Sequence, residues 1–215
     1  MSDAPAPAIS RSEHAYRQLR DLLVNGDYRP NERLVETELA ERLHISRTPI
    51  RDALQRLVDQ GMIESRNRGW IVREHTAREI REIFEARAAL EGFATRLAAE
   101  RATDEELKRI SFILERDRPV LTLATENAVQ HNDEFHAVIV GACRNDRIID
   151  LIRRNHDFYF NYRVAHLYTP DETTQSFIGH EQMAKHLIAR DGPRAEIVAR
   201  QHILESIDLI LSKLH

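Results

Sequence analysis

Apolar residues recur at helical spacing along most of the chain, and only seven glycines and seven prolines interrupt them. One stretch in the first half has a different pattern. Residues 62–66 and 70–73 are β-prone runs joined by Asn67-Arg68-Gly69, whose asparagine and glycine suit the positive φ angles of a hairpin loop. The pattern therefore predicts a mostly α-helical protein with one short strand pair.

Three helices are predicted before that hairpin. The first covers residues 12–25 and the second runs from Glu36 to Leu43; after the tight turn His44-Ile45-Ser46, the third runs from Arg47 to Gln60. This order is typical of a winged helix-turn-helix, which places the start of its second helix in the major groove of DNA. A small three-helix core with no nucleic-acid partner would have the same order. We assign residues 8–74 to this domain.

From Thr76 onward the pattern is one helix after another. Capping boxes begin at Thr76 and Thr103, and each opens a helix. Four more helices are predicted over residues 125–142, 146–166, 171–190 and 193–213. Because short connections favour an antiparallel bundle, residues 77–215 are predicted to form an all-α, antiparallel helical domain.

The charge is unevenly distributed. A net charge of -4 argues against a nucleic-acid partner, but residues 46–73 hold six arginines, no lysine and three acidic residues. The planar guanidinium group suits phosphate oxygens and guanine edges, although a charge run is also typical of a solvated face. Ser46 can cap the third helix, while Arg47 and Arg51 share one face at i and i+4.

The sequence pattern indicates neither export nor membrane insertion. The first ten residues lack the basic and apolar segments of a secretory signal, and the longest uncharged apolar stretch, Ala137 to Cys143, is too short to span a membrane. Cys143 is the single cysteine, so an intramolecular disulfide cannot form. We therefore expect a cytoplasmic protein with no membrane partner.

These features together resemble the GntR family of bacterial regulators, in the FadR or FCD branch, whose C-terminal half is a six-helix, VanR-like ligand-binding domain. The resemblance covers nearly the whole chain. It rests on Leu39-Ala40-Glu41-Arg42-Leu43, Ser46 through Leu54, Leu57, Gly61-Met62-Ile63, Arg68-Gly69 and Val72. One position departs from the pattern, since His44 stands where relatives commonly carry glycine in the turn.

The resemblance implies a DNA-binding role for a specific set of residues. Arg47 and Arg51 would read bases or phosphates, Ser46 and Thr48 would bind the DNA backbone, and Gly69 would let the wing tip reach the minor groove. The full set of predicted DNA-binding residues is Ser46, Arg47, Thr48, Arg51, Arg66, Arg68 and Gly69. Two copies related by a two-fold axis would read a near-palindromic operator, so a homodimer is expected.

Histidine is concentrated in the second half of the chain, although most histidines in proteins are ordinary surface or core residues. Asn132 and His136 lie one helical turn apart, and His180 and His202 lie on the two final predicted helices. This spacing resembles the metal-binding version of the FCD domain and implies a divalent ion; three imidazoles and one oxygen suit zinc or nickel. The family's first ligand is often aspartate, whereas Asn132 is neutral. Asp133 points about 100° away around the helix.

An ion with open coordination positions can accept a carboxylate oxygen from a ligand. Arg87 lies in the segment from Glu85 to Glu91, which resembles the family's opening-helix motif, and it would clamp the second carboxylate oxygen of an effector. A salt bridge from Arg87 to Glu91 is the alternative. The sequence thus predicts a repressor whose operator affinity is controlled by a small carboxylate metabolite.

A metal-dependent hydrolase that uses the three histidines is the rival interpretation, since catalytic zinc has similar ligands. His180-Glu181 begins like a zinc-protease helix, but the required second histidine is replaced by Ala184. The chain has no Gly-x-Ser-x-Gly elbow, phosphate-binding glycine loop or dinucleotide fingerprint. We therefore expect that this protein is not an enzyme. A DNA-packing protein would not explain polar residues inside an apolar bundle.

Overall fold

The computed structural model describes residues 10–67, 69–118, 128–156 and 168–213, except for the side chains of residues 128–130 and 154–156. These residues divide into two compact units, and the chain passes from the first to the second between Glu74 and His75. The first unit contains three helices and a three-stranded sheet, and the second is helical in every described element. The predicted fold class, a winged helix-turn-helix followed by an all-α domain, is confirmed.

The elements of the first unit are α1 (Arg11–Val24), β1 (Arg33–Leu34), α2 (Glu36–Leu43), α3 (Arg47–Asp59), β2 (Ile63–Arg66) and β3 (Gly69–Val72). Helices α1 and α2 both pack against α3. The core between them is apolar because Leu19, Leu39, Ile50, Leu54 and Leu57 repeat at helical spacing and are almost fully buried. This core holds α3 in a fixed position with its charged face outward.

The sheet has the order β1-β3-β2, and all its pairings are antiparallel. The hairpin between β2 and β3 is confirmed, and Asn67 has the expected positive φ angle of 51°. The expectation of a positive φ angle at Gly69 is wrong, because Gly69 pairs with Arg66 and is the first residue of β3. Arg68 lies outside the described residues. Strand β1 was not predicted, since two residues carry no periodic pattern.

The turn between α2 and α3 explains two features of its sequence. His44 ends α2 in the left-handed region, with φ 54° and ψ 38°, which is the conformation that favours glycine at this position. Ser46 is the N-cap of α3, but the expected side-chain cap bond is absent. In such a bond the Ser46 oxygen accepts from the backbone N–H of the second or third residue of the helix. The third residue is Pro49, which has no N–H group.

The elements of the second unit are α4 (Ala77–Arg101), α5 (Asp104–Asp117), α6 (Ala128–Ala142), α7 (Asp146–His156), α8 (Pro170–Ile188) and α9 (Gly192–Lys213). The predicted capping boxes at Thr76 and Thr103 are both present, and an unpredicted one at Thr169 opens α8. The helix predicted over 146–166 is described only as far as His156.

Helix α4 lies at the centre of this unit, since it packs against α6, α7, α8 and α9. Much of the core is apolar, and Phe135, Ile139, Met183 and Leu187 are among its members. A few polar side chains are also buried in the unit: Arg87, Glu91, Thr95, Asp117, His136, Thr173, His180 and His202. Burying a polar group is costly unless it has a hydrogen-bond partner or binds a ligand. In the part of the chain that the structure describes, no helix has the length and apolar character to cross a membrane.

Candidate DNA-reading surface and metal centre

The first two turns of α3 carry two exposed arginines that share one carboxylate partner. Arg51 donates from Nε to Oε1 of Glu36 at 3.0 Å and from Nη2 to Oε2 at 2.7 Å, and Arg47 Nη2 lies 3.5 Å from the same Oε2. The indole N–H of Trp70 on β3 donates to Oε1 at 3.2 Å. Glu36, the first residue of α2, therefore connects α2 with α3 and with the wing, which is the hairpin of β2 and β3.

These donors stabilise the charged form of Glu36. The hydrogen bonds from Arg51 outweigh the opposing effect of burial, and together with Trp70 and Arg47 they lower the pKa of the Glu36 carboxyl to about 2. The bidentate pairing fixes the plane of the Arg51 guanidinium group before any DNA arrives. Glu36 could not be assigned to this surface from the sequence, because the two arginines follow it by 11 and 15 residues and that separation carries no helical signal.

The structure brings four predicted DNA-binding residues together at the start of α3. Ser46, Arg47, Thr48 and Arg51 are all exposed there. Because the first N–H groups of a helix have no intrahelical acceptor and lie at the positive end of its dipole, this end of α3 favours a phosphate. Pro49 removes one of these donors, and because Ser46 makes no cap bond, the N–H group of Thr48 has no acceptor in that side chain.

Two of the predicted wing residues, Arg66 and Gly69, lie on the hairpin of β2 and β3. Arg66 is exposed at the end of β2, with Nη1 4.0 Å from Glu64 Oε1. Gly69 begins β3, and a Cβ atom at this position would lie 3.3 Å from Arg33 Nε. The wing therefore presents a cation next to a closely packed glycine.

Three histidines from three helices converge in the second unit. His136 on α6, His180 on α8 and His202 on α9 are only 7%, 6% and 7% exposed. One possible ligand atom from each lies within 4.8 Å of those of the other two. The rings of His180 and His202 have centroids 4.7 Å apart, and those of His136 and His180 are 5.1 Å apart. The predicted histidines are thus placed together, as a metal site requires.

The chemistry of this cluster fits a divalent ion. Burial, reinforced by His136, lowers the pKa of His202 to about 3, and burial with the neighbouring rings lowers the pKa of His180 well below its usual value. Neutral imidazole is the form that binds metals. The Nε2 atom of His180 is buried and has no hydrogen-bond partner, so the cluster has an unused ligand atom.

Asn132 lies one turn before His136 on α6 and is half-buried. It lines the same cavity as the three histidines, and its Nδ2 donates to Asp133 Oδ1 at 3.2 Å. The neighbouring His131 has a different partner, with Nδ1 2.8 Å from Oδ1 of Asp117. Asn132 and His131 therefore both line the cavity, and His131 is also paired with Asp117 of α5.

A cavity of about 350 Å³ adjoins the histidines. Apolar side chains, among them Phe84, Phe135 and Phe177, form part of its wall, and Arg87 from α4 also lines it. Arg87 is buried and donates from Nε to Glu91 Oε1 at 2.9 Å. The salt bridge considered from the sequence is present, and the guanidinium group is at the cavity as well.

Glu91 is the buried acid that sequence analysis did not assign to the site. It is 2% exposed, and its Oε2 atom lies 3.3 Å from His136 Nδ1. Although burial alone raises the pKa of the Glu91 carboxyl, the Arg87 guanidinium and His136 hold that pKa below its usual range. The i, i+4 spacing to Arg87 was a sequence signal for one of these contacts, but the contact with His136 depends on the packing of α4 against α6.

The first unit is a winged helix-turn-helix with exposed arginines on α3, the second helix of the motif. The second unit is helical and has a partly polar cavity. Together they define the class of DNA-binding transcription regulators. Residues 11–72 match the family described as bacterial regulatory proteins, gntR family, and residues 82–205 match the FCD domain. The chain therefore belongs to the GntR family and carries an FCD domain.

Several similar proteins are transcription regulators by name. The HTH-type transcriptional regulator YdhC of Bacillus subtilis (strain 168) is 29% identical over 192 residues, which are 88% of this chain and 84% of that protein. The transcriptional repressor GlaR of Escherichia coli (strain K12) is 28% identical, over 91% of this chain and 93% of that protein. The E. coli McbR/YncC structure has a TM-score of 0.81 at 23% identity, covers 96% of this chain and 100% of its own, and so shows the same fold. The family and these names indicate a regulator rather than an enzyme.

Proposed function

We propose that this DNA-binding regulator is a repressor whose operator affinity is controlled by a small carboxylate metabolite. The effector would bind at a divalent ion, zinc or nickel, held by His136, His180 and His202, with Asn132 as an oxygen ligand. The observation that carries this proposal is the convergence of three buried imidazoles beside a cavity that Arg87 also lines. When bound, the ion supplies open coordination positions for a carboxylate oxygen.

The histidines, Arg87 and the apolar walls of the cavity would each contribute to effector binding in a different way. Burial holds the imidazoles of His180 and His202 neutral, so these two rings keep lone pairs for the ion, and His136 would supply the third nitrogen ligand. Arg87 donates one N–H to Glu91 and has four other N–H donors, which suit the second oxygen of a carboxylate. The apolar walls exclude water from the effector and strengthen these polar contacts.

The proposed DNA-binding domain comprises residues 8–74, and the proposed effector domain comprises residues 77–215. Two copies of the chain would form a homodimer on a near-palindromic operator in the cytoplasm, since one short recognition helix gives limited discrimination. Repression is supported by the names of two relatives, GlaR and the gluconate operon transcriptional repressor of Bacillus licheniformis.

The DNA-reading assignment is tested with arginine variants on selected duplexes. A random pool of duplexes selected on the parent protein supplies the operator. Arg47→Ala and Arg51→Ala should each weaken operator binding by about 1–3 kcal/mol, because each removes a base or phosphate contact. Arg17→Ala is the matched control, since Arg17 is an exposed arginine on α1 in an i, i+4 pair with Glu13. Operator affinity equal to the parent's in both α3 variants would remove these arginines from the reading surface.

The metal assignment is tested by metal analysis after zinc loading and gel filtration. The double variant His136→Ala/His180→Ala should lose the bound zinc, because two of the three imidazole ligands are gone. His186→Ala is the control, since His186 lies on the same helix as His180 but outside the cluster. Equal zinc content in the double variant and the parent would show that the clustered histidines do not hold the ion.

The effector class is tested by thermal shift with a panel of small carboxylates, each with zinc and with a chelator. A carboxylate that binds the folded protein through the ion raises the melting temperature only when zinc is present. The same carboxylate should then change operator affinity. If no carboxylate in a panel of hydroxy, keto and sugar acids shifted the melting temperature of the zinc-loaded protein, the carboxylate assignment would be rejected.

A further inference from the structure

We infer that Glu91 is a positioning residue for the proposed metal centre, and that Arg87 and the ion compete for its negative charge. This inference rests on the proposed metal site. Glu91 then has a role beyond its salt bridge with Arg87. The affinity for the ion should also respond to changes at Arg87, where the effector is proposed to bind.

The two oxygens of one buried carboxylate face two different functional groups. Glu91 Oε1 accepts from Arg87 Nε at 2.9 Å, and Glu91 Oε2 lies 3.3 Å from His136 Nδ1. The Oε2 atom is buried and has no hydrogen bond, so it can accept one without giving up another contact. Glu91 is therefore placed between the proposed effector clamp and a proposed metal ligand.

A carboxylate at this place determines which nitrogen of His136 is available. A ring that binds an ion through Nε2 has its proton on Nδ1, and a carboxylate that faces Nδ1 favours this tautomer and makes Nε2 more basic. Carboxylates in this relation to a metal-binding histidine commonly strengthen the affinity for the ion by about 10–100-fold. Glu91 would thus orient His136 without touching the ion.

Glu91 also compensates for the neutral first ligand. Asn132 brings no negative charge, and the imidazoles of His180 and His202 are neutral. Among the described residues, Glu91 is the one acid whose carboxylate oxygen lies within 4.0 Å of an imidazole nitrogen of the cluster. A divalent cation enters a buried site more easily when a negative charge is close by, so Glu91 favours its binding.

Arg87 opposes this effect because its positive charge is paired with the same carboxylate. An effector carboxylate that engages Arg87 would draw its charge away from Glu91, and Glu91 would then act more fully on His136 and the ion. Binding of the ion and of the effector should therefore strengthen each other, as reciprocal linkage requires.

The inference is tested by measuring zinc affinity in the parent and four variants by competition with a chromogenic chelator at pH 7. Glu91→Gln should bind zinc about 10–100-fold more weakly than the parent, because the charge and the fixed tautomer of His136 are lost. Arg87→Met should bind zinc about tenfold more tightly, because the ion then replaces Arg87 as the cation that stabilises the charged form of the buried Glu91 carboxylate. Glu85→Gln, an exposed charge change on the same helix, should match the parent.

The opposite signs separate this role from a structural one. If the ion pair between Glu91 and Arg87 only stabilised α4, loss of either partner would change zinc affinity in the same direction. The double variant Arg87→Met/Glu91→Gln leaves neither charge buried and should also bind zinc more weakly than the parent. It keeps the comparison possible if a single variant does not fold, which circular dichroism and gel filtration would reveal.

Each outcome has a distinct meaning. If the parent itself bound neither zinc nor nickel, the proposed metal centre would fail and Glu91 would lose this role with it. If the parent bound zinc and the two Glu91 variants bound it equally well, the metal centre would stand and the inference about Glu91 would be overturned.

Discussion

Gly179 on α8 gives the most direct test of how the histidine cluster is built. A Cβ atom at this position would lie 2.4 Å from His202 Nδ1 and 3.2 Å from both Cγ and Cε1 of the same ring. The first distance is below any ordinary carbon contact, and His202 is only 7% exposed, so its ring has little room to move. The absence of a side chain at Gly179 is therefore what lets the His202 ring lie against α8 next to His180.

The expected size of the effect follows from two opposing contributions. Alanine is favoured over glycine within a helix by about 1 kcal/mol, whereas forcing an extra carbon into a packed interior costs about 1–3 kcal/mol. Gly179→Ala should therefore be neutral to destabilising, by up to about 2 kcal/mol. It should also weaken zinc binding, because the displaced His202 ring no longer faces the other two imidazoles.

The matched control is Gly141→Ala on α6, where the added Cβ atom has no heavy atom within 4 Å. This variant should gain up to about 1 kcal/mol from helix propensity alone and keep the zinc affinity of the parent. Urea unfolding followed by circular dichroism gives the stability difference, and chelator competition gives the zinc affinity. If both alanine variants were equally stabilised and both bound zinc like the parent, the packing of His202 against Gly179 would be refuted.

Three further predictions concern other parts of the chain. Because the pKa of Glu36 is lowered to about 2 from an ordinary 4.5, its ionisation stabilises the first unit above about pH 4.5, and this contribution is lost as the pH falls through 2. Thermal melts should show Glu36→Gln less stable than the parent by about 1 kcal/mol near pH 6, with a gap that closes towards pH 2; a constant gap would contradict the pairing with Arg51. Thr103→Ala removes the capping box of α5 and should cost about 1 kcal/mol in urea unfolding with no change in zinc affinity, whereas no loss of stability would show that the cap is redundant. Arg66→Ala should remove one phosphate contact and so reduce the slope of log affinity against log salt concentration by about one. An unchanged slope would place Arg66 away from the DNA.

The sequence determined much of this protein through signals that lie within a few residues of one another. Apolar spacing gave the helices, and the capping residues Thr76 and Thr103 marked where two of them begin. The missing cap at Ser46 also has a local cause in Pro49, three residues later. Local patterns are readable because a helix or a turn depends mainly on the conformational preferences of neighbouring residues.

The candidate site was predictable only in part. The spacing of Asn132 and His136, with His180 and His202 on the last two helices, identified the histidines that the structure brings together. Arg68 and the end of the helix predicted over 146–166 lie outside the described residues, so those expectations stay predictions.

Only the tertiary structure decided which charged groups from different elements meet. Glu36 joins Arg51 and Trp70, and Glu91 faces His136, across 15, 34 and 45 positions of the chain. No periodic pattern links residues so far apart, because their contact depends on how whole helices pack and on which polar groups that packing shuts away from water. The local sequence therefore determined the helices. The packing of their apolar faces determined that Glu36 pairs with Arg51 and that Glu91 faces His136.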